Sequence, residues 1–242
     1  MAVPRPLNRH RLRSRGPPGG CSTPVNRLVG MTLLDLTSDQ LLSTTRAVRK
    51  RLDFTRPVPD DLVRECVAMA LQAPSGSNVV TMRFVVVRDE EKRRAIGEVY
   101  RQVYAMYKAS PGYAGRLTGD AERDRIQGRV ASSADYLGEH MGEAPVLVIG
   151  CNEGADRASA GAGLGNILPG MWSFMLAARA RGLGTSWTSM HVARERDVAE
   201  ILGIPYDTVA QAVLTPLAYT NGTDFRPAGR PNPDQVIHWD TW

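Results

Sequence analysis

Most of the signatures that announce a chemistry are missing from these 242 residues. The three cysteines, Cys21, Cys66 and Cys151, form an odd set with no Cys-x-x-Cys spacing. Neither a disulfide framework nor a zinc site is expected from them. Cys66 and Cys151 sit in apolar runs and read as small core residues. Unpaired thiols fit a reducing, cytoplasmic setting. No glycine-rich dinucleotide fingerprint opens a strand-helix unit. GLGNILPG, 163–170, is only loosely similar and lies inside a helical pattern. The longest apolar runs, such as APVLVIGC at 144–151, are too short to span a bilayer. No internal repeat is visible.

Acidic residues are also missing from residues 1–30, which carry six arginines and many Pro and Gly. The net charge of +5 belongs to this leader, because the rest of the chain holds 24 basic and 25 acidic side chains. A balance of −1 gives no reason to expect nucleic-acid binding by the folded part. The leader lacks the apolar core of a secretory signal, and its prolines spoil an amphipathic transit helix. It reads either as a disordered tail or as a start placed too early, with Met31 as the first residue; the composition break favours the second. Residues 31–242 form the expected domain.

What remains is an alternation of helical and strand patterns without strict order. Thr37 or Ser38 opens a helix that turns Leu41 and Leu42 inward. RAVRKRLDF, 46–54, follows, with Arg46 and Arg49 on one face if the segment is a helical end. A second helix starts at Asp60 or Asp61 and ends near Ala73, ahead of Pro74. RFVVV (83–87) and APVLVIGC (144–151) read as buried strands. Residues 89–107 and 121–142 read as helices, the latter with Ile126, Val130, Ala134 and Leu137 on one face. Residues 163–181 are apolar nearly all round, which predicts burial on several sides. TSWTSM and TVAQAVLTPLAY complete the strands, with a helix at 193–202 between them. The pattern fits an α+β class of two or three layers.

Four stretches carry candidate chemistry. Arg46 and Arg49 could grip a phosphate through guanidinium forks, or belong to a solvated basic helix end. Pro74-Ser75-Gly76-Ser77-Asn78 could be a plain turn. It could equally hold a flat polar ligand, with Gly76 allowing close backbone approach and Asn78 offering donor and acceptor. GLGTSWT, 182–188, reads as a helix stop and a strand. Arg226 and Arg230 lie in a proline-rich tail that ends IHWDTW.

In this order and spacing the stretches resemble the FMN-dependent nitroreductase family. RAVR stands for its Arg-Ser-x-Arg start. PSGSNVVTMRF stands for its Pro-Ser-Gly-x-Asn-x-Gln-Pro-Trp-x-Phe. GLGTSW, LGIP (202–205) and FRPAGR complete the series. The resemblance runs from about Leu41 to the C-terminus. It implies a mixed sheet flanked by helices in an intertwined homodimer, with one FMN in each of two interface clefts. It implies that Arg46, Ala47, Arg49 and Arg230 lie around the phosphate. Pro74, Ser75, Gly76 and Asn78 would line the isoalloxazine ring, and Thr188 and Ser189 would lie near flavin N5. The implied activity passes hydride from NADH or NADPH through N5 to a nitroaromatic, quinone or similar small acceptor by a ping-pong scheme, with no side chain as essential acid or base and no metal. His191, which directly follows the implied flavin strand, is the best outsider for a site role. Ala47 replaces the usual Ser, and Val80 and Met82 replace the usual Gln and Trp. These departures keep open a flavin-holding protein with little turnover, and a dehalogenating or flavin-fragmenting relative is a further alternative.

Overall fold

The computed structural model describes residues 33–242, so both readings of the Arg-rich leader fall outside it. Helix α1 (Ser38–Thr44) begins with a capping box, in which Thr37 and Gln40 bond each other's backbone N–H groups. It ends abruptly. Thr44 and Thr45 turn their hydroxyls back onto the carbonyls of Gln40 and Leu41, both at 2.6 Å. Thr45 is already extended. Arg46 and Arg49 therefore share no helical face. Their segment runs beside the sheet instead, with Val48 N donating to Thr185 O at 2.7 Å, and leads into the short strand β1 (Leu52–Asp53).

The remaining elements follow as α2 (Asp60–Ala70), β2 (Met82–Val87), α3 (Glu90–Ala109), α4 (Ala121–His140), β3 (Val146–Glu153), α5 (Arg157–Ala162), α6 (Leu164–Ala180), β4 (Leu183–Thr185), α7 (Glu195–Leu202) and β5 (Val209–Thr220). The sheet order is β1-β5-β3-β2, with β4 also on β5. Among the described residues all strand ladders are antiparallel, and a single parallel bridge joins Ala47 to Thr185. The arrangement is an α+β fold of three layers.

The strand residues alternate between two cores. Leu147, Ile149, Cys151 and Leu214 pack with Ile96, Tyr100, Leu137 and Val198 from α3, α4 and α7. Ala212 and Val213 face the other way, onto Ile167 and Met171 of α6. Helices thus cover both faces, which is why β3 and β5 read as continuous apolar runs. Helix α6 lies close to the sheet because Gly150 has no side chain. A Cβ there would meet the Met171 side chain at 2.5 Å. Two apolar residues of α6, Leu168 and Trp172, stay exposed. Met82 is buried in the α6 core rather than lining an open pocket.

The anticipated strand over TSWTSM is shorter than expected. β4 stops at Thr185, and only a bridge from Thr188 to Leu214 continues the pairing. A 3-10 segment, Met190–Arg194, then leads into α7. Leu42, Ile126 and Val130 are exposed rather than inward.

Candidate active site

Two clefts meet at Arg49. The first, of about 440 Å³, is walled by Arg46, Ala47, Arg49, Lys50 and Arg51 on one side and by Asp224, Phe225 and Arg226 of the C-terminal tail on the other. Five basic side chains face one acid there, so the cleft attracts anions. Most of these cations are already engaged. Arg46 Nη1 donates to Arg226 O at 2.8 Å, and Lys50 Nζ to Ser132 Oγ at 2.7 Å. Arg51 pairs with Asp224 at 2.6 Å and lies over the Phe225 ring. Arg49 has no hydrogen bond or ion pair among the described residues, and its five N–H donors remain for a ligand.

The second cleft, of about 200 Å³, is aromatic. Tyr100, Tyr104 and Tyr107 of α3, Ala131 and Ala134 of α4, and Ser186, Trp187 and Thr188 line it together with Arg49. Burial pushes the Tyr100 hydroxyl's pKa up, partly offset by a hydrogen bond with Thr188 and by the nearby Arg49 charge. The Thr188 N–H is spent on Leu214 O at 3.1 Å. Ser189 N and Trp187 N make no hydrogen bond among the described residues; Trp187 lines this cleft, whereas Ser189 lies outside both linings.

Ala47 lies in the basic cleft, where a serine would add a hydroxyl. Arg230 is exposed and outside the lining; Arg226, four residues earlier, takes that place. The turn Pro74–Asn78 lines neither cleft. It is anchored near the start of α6 instead, where Gly76 N donates to Asn166 Oδ1 at 3.1 Å. A polar chain supports the anchor. Asn166 Nδ2 donates to Thr81 Oγ1 at 3.0 Å, Thr81 to Asn152 Oδ1 at 2.6 Å, and Asn152 to Ala160 O at 2.9 Å. Within the turn Ser77 and Asn78 hold left-handed backbone, at φ 53° and 57°. That conformation is unfavourable for Ser77, whereas an asparagine such as Asn78 adopts it readily in turns.

Sequence reasoning singled out Arg226 with Arg230 but set Arg230 at the phosphate, and it missed the tyrosine row of α3. The spacing Tyr100, Tyr104, Tyr107 at i, i+4, i+7 was the available signal. His191 is wholly buried beside the site, and neither ring nitrogen has a partner.

The sequence model of the Nitroreductase family matches residues 42–216. The chain belongs to the nitroreductase family. An Archaeoglobus fulgidus protein bearing the name NADH dehydrogenase/NAD(P)H nitroreductase is 27% identical over 207 residues, covering 84% of this chain and 97% of that protein. A 5,6-dimethylbenzimidazole synthase from Rhodospirillum rubrum is 30% identical over 169 residues, covering 65% and 71%. An oxidized iodotyrosine deiodinase bound to FMN and 3-iodo-L-tyrosine shares the fold, with a TM-score of 0.63 at 20% identity, over 84% of this chain and 98% of the other.

Proposed function

We propose that the protein is an FMN-dependent oxidoreductase that takes a hydride from NADH or NADPH and delivers it to a nitroaromatic, quinone or similar small acceptor. For a quinone the balance is NAD(P)H, a proton and quinone giving NAD(P)⁺ and hydroquinone. The observation that carries this reading is the pair of clefts joined at an unpartnered Arg49, one basic and the other aromatic. The donor set suits a phosphate at one end and a flat polar ring at the other. Bound FMN supplies the hydride relay between two ligands that take turns, a ping-pong order.

The chain's own residues bind and orient. Arg46 and Arg226 offer charge at the basic cleft, and Arg49 stands between phosphate and ring. The N–H groups of Trp187 and Ser189, on either side of Thr188, are the open donors near the ring edge. Pro74, Ser75, Gly76 and Asn78 lie apart from the clefts of their own protomer, which supports a homodimer in which each turn completes the partner's site. Exposed Leu168 and Trp172 on α6 and exposed Trp239 and Trp242 in the tail suit such an interface. Arg230 would then act from the same tail. Cys66 and Cys151 are free and buried, in keeping with a cytoplasmic setting. Among the described residues no helix is long and apolar enough to cross a membrane.

Ala47 in the cleft wall favours one other reading, a flavin-holding protein with little turnover. The Rhodospirillum rubrum relative and the deiodinase keep flavin fragmentation and dehalogenation as further alternatives. The absorbance spectrum of the purified protein, before and after anaerobic NADH or NADPH, separates them. Yellow protein that bleaches and recovers with a quinone or nitroaromatic is the expected result. Yellow protein that stays yellow favours holding, and colourless protein that takes up no FMN overturns both.

A further inference from the structure

Two arginines close helix α6, and both are buried: Arg179 is 4% exposed and Arg181 8%. Their charges are met differently. Arg181 Nε stands 2.8 Å from Glu65 Oε2, and its Nη1 donates to Ala177 O at 3.0 Å. Arg179 has no ion pair among the described residues, and its Nε and Nη1 have no hydrogen-bond partner. Its remaining donor, Nη2, bonds Thr223 O at 2.9 Å and reaches Thr44 Oγ1 at 3.4 Å. The carbonyl end of α6 supplies only a partial negative charge. A buried cation without a full counter-charge is unfavourable, and packing alone leaves this one unbalanced.

The missing charge has a place next door. The Arg179 guanidinium carbon lies 4.8 Å from the centre of the Phe225 ring, and that of Arg51 lies 4.3 Å from the same ring. Phe225, Asp224 and Arg51 belong to the wall of the basic cleft. Arg179 therefore sits one ring behind that wall, outside the lining itself. Asp224, the one acid of the cleft, is already held by Arg51 at 2.6 Å. Arg51 also donates to Asn221 O at 2.9 Å, and Gly222 gives it room, since a Cβ there would lie 2.7 Å from Arg51 Nη2. The five cations of the cleft and Arg179 behind them thus share a single carboxylate.

We propose that Arg179 is a positioning residue for the cofactor's phosphate: from behind Phe225 it adds uncompensated positive charge to the basic cleft, and through Thr223 it holds the tail as the cleft's second wall. This inference rests on the FMN-dependent reading. A phosphate in the cleft supplies the counter-charge that the fold itself omits. The guanidinium acts on it through space, so a flavin without a phosphate does not feel that charge.

Fluorescence titration of the apoprotein with FMN and with riboflavin, which lacks the phosphate, tests the role. Arg179→Gln removes the charge and keeps a donor for Thr223 O, Arg179→Met removes both, and Arg179→Lys keeps the charge. Both neutral variants should bind FMN about tenfold more weakly, the order expected of one unit charge at an effective dielectric constant of about 20, with riboflavin affinity held within about twofold. Arg179→Lys should retain most of the FMN affinity. The urea midpoint of the apoprotein should hold or rise in Arg179→Met, because a buried unpaired charge is gone. Equal losses for the two flavins, undiminished FMN affinity in the neutral variants, or a clearly lower urea midpoint in both would leave Arg179 a brace of the tail and overturn its charge role. Wild-type protein that binds FMN no tighter than riboflavin would overturn the basic cleft as the phosphate site, and wild-type protein that binds neither would overturn the FMN reading itself.

Discussion

Arg46 performs two tasks in the structure, and they separate by substitution. Its guanidinium faces the basic cleft, and its Nη1 holds the tail through Arg226 O. Removing it deletes a charged donor, so Arg46→Ala should weaken FMN retention by about 1.5–3 kcal/mol. Arg46→Lys should fall between, because an ammonium keeps the charge without the fork. Equilibrium titration of the apoprotein with FMN measures both; undiminished affinity in Arg46→Ala would remove the basic cleft as the phosphate site. His191 gives a pH signature on the same scale. Burial without a partner pushes its pKa down to about 4, while the unfolded chain keeps an ordinary value near 6.5. The unfolded state therefore binds the extra proton between those values. Stability is full above about pH 6.5 and declines as pH falls toward 4, by about 2–3 kcal/mol from this residue. His191→Leu should flatten that part of the urea-derived stability profile between pH 7 and 4. An unaltered slope would mean the proton is taken up elsewhere.

At the scale of elements, packing of α3 depends on a gap that no periodicity reveals. A Cβ on Gly97 would lie 2.7 Å from the backbone of Gly142, where α3 crosses the 3-10 turn Met141–Glu143. Backbone cannot rotate aside as a side chain can. Gly97→Ala should cost about 1–3 kcal/mol through overpacking, read as a lower urea midpoint at constant m-value. A neutral result would show that the turn shifts freely. The same crossing shows what the sequence could and could not reveal. The strands at β2, β3 and β5 were legible because their apolar runs are bounded by charge or turns, and α2 because Pro74 follows its end. The path after α1 was not legible, because a basic run after a threonine pair reads equally well as a helix end. Tertiary pairing of Val48 with Thr185 decides it. At the site, Arg46 and Arg49 came from their motif, whereas Arg226 depends on how the tail folds back over Arg51 and Arg179. Arg179 donates to Thr223 O at 2.9 Å, and the Phe225 ring meets the guanidinium groups of both Arg51 and Arg179. No local pattern encodes that contact.

On the scale of the whole molecule, residues 33–242 present apolar surface that the described chain does not itself cover. Trp242 is fully exposed and Trp239 is 80% exposed, with Val236 and Ile237 beside them. On the body, Trp172 and Leu168 of α6 are partly exposed, at 38% and 39%. Burying a large side chain contributes about 1.5–3 kcal/mol, and interface aromatics carry a disproportionate share of binding energy. In the proposed homodimer, a tail laid on a second copy would cover both surfaces, and the turn at Ser77–Asn78 would serve a neighbouring cleft. Deleting residues 236–242 should therefore shift the protein toward monomer in sedimentation equilibrium, with dimer dissociation increased by about tenfold or more for even one such aromatic lost. FMN retention should fall in the same variant, although Arg46, Arg49 and Arg226 are untouched, because each cleft would lose the turn supplied by its partner. Asn78→Ala in the full-length chain separates the two effects. It leaves the tail in place, so the dimer should persist while FMN affinity drops. A truncated protein that stays dimeric and yellow would place the tail's tryptophans on some other surface and leave the turn to serve its own protomer.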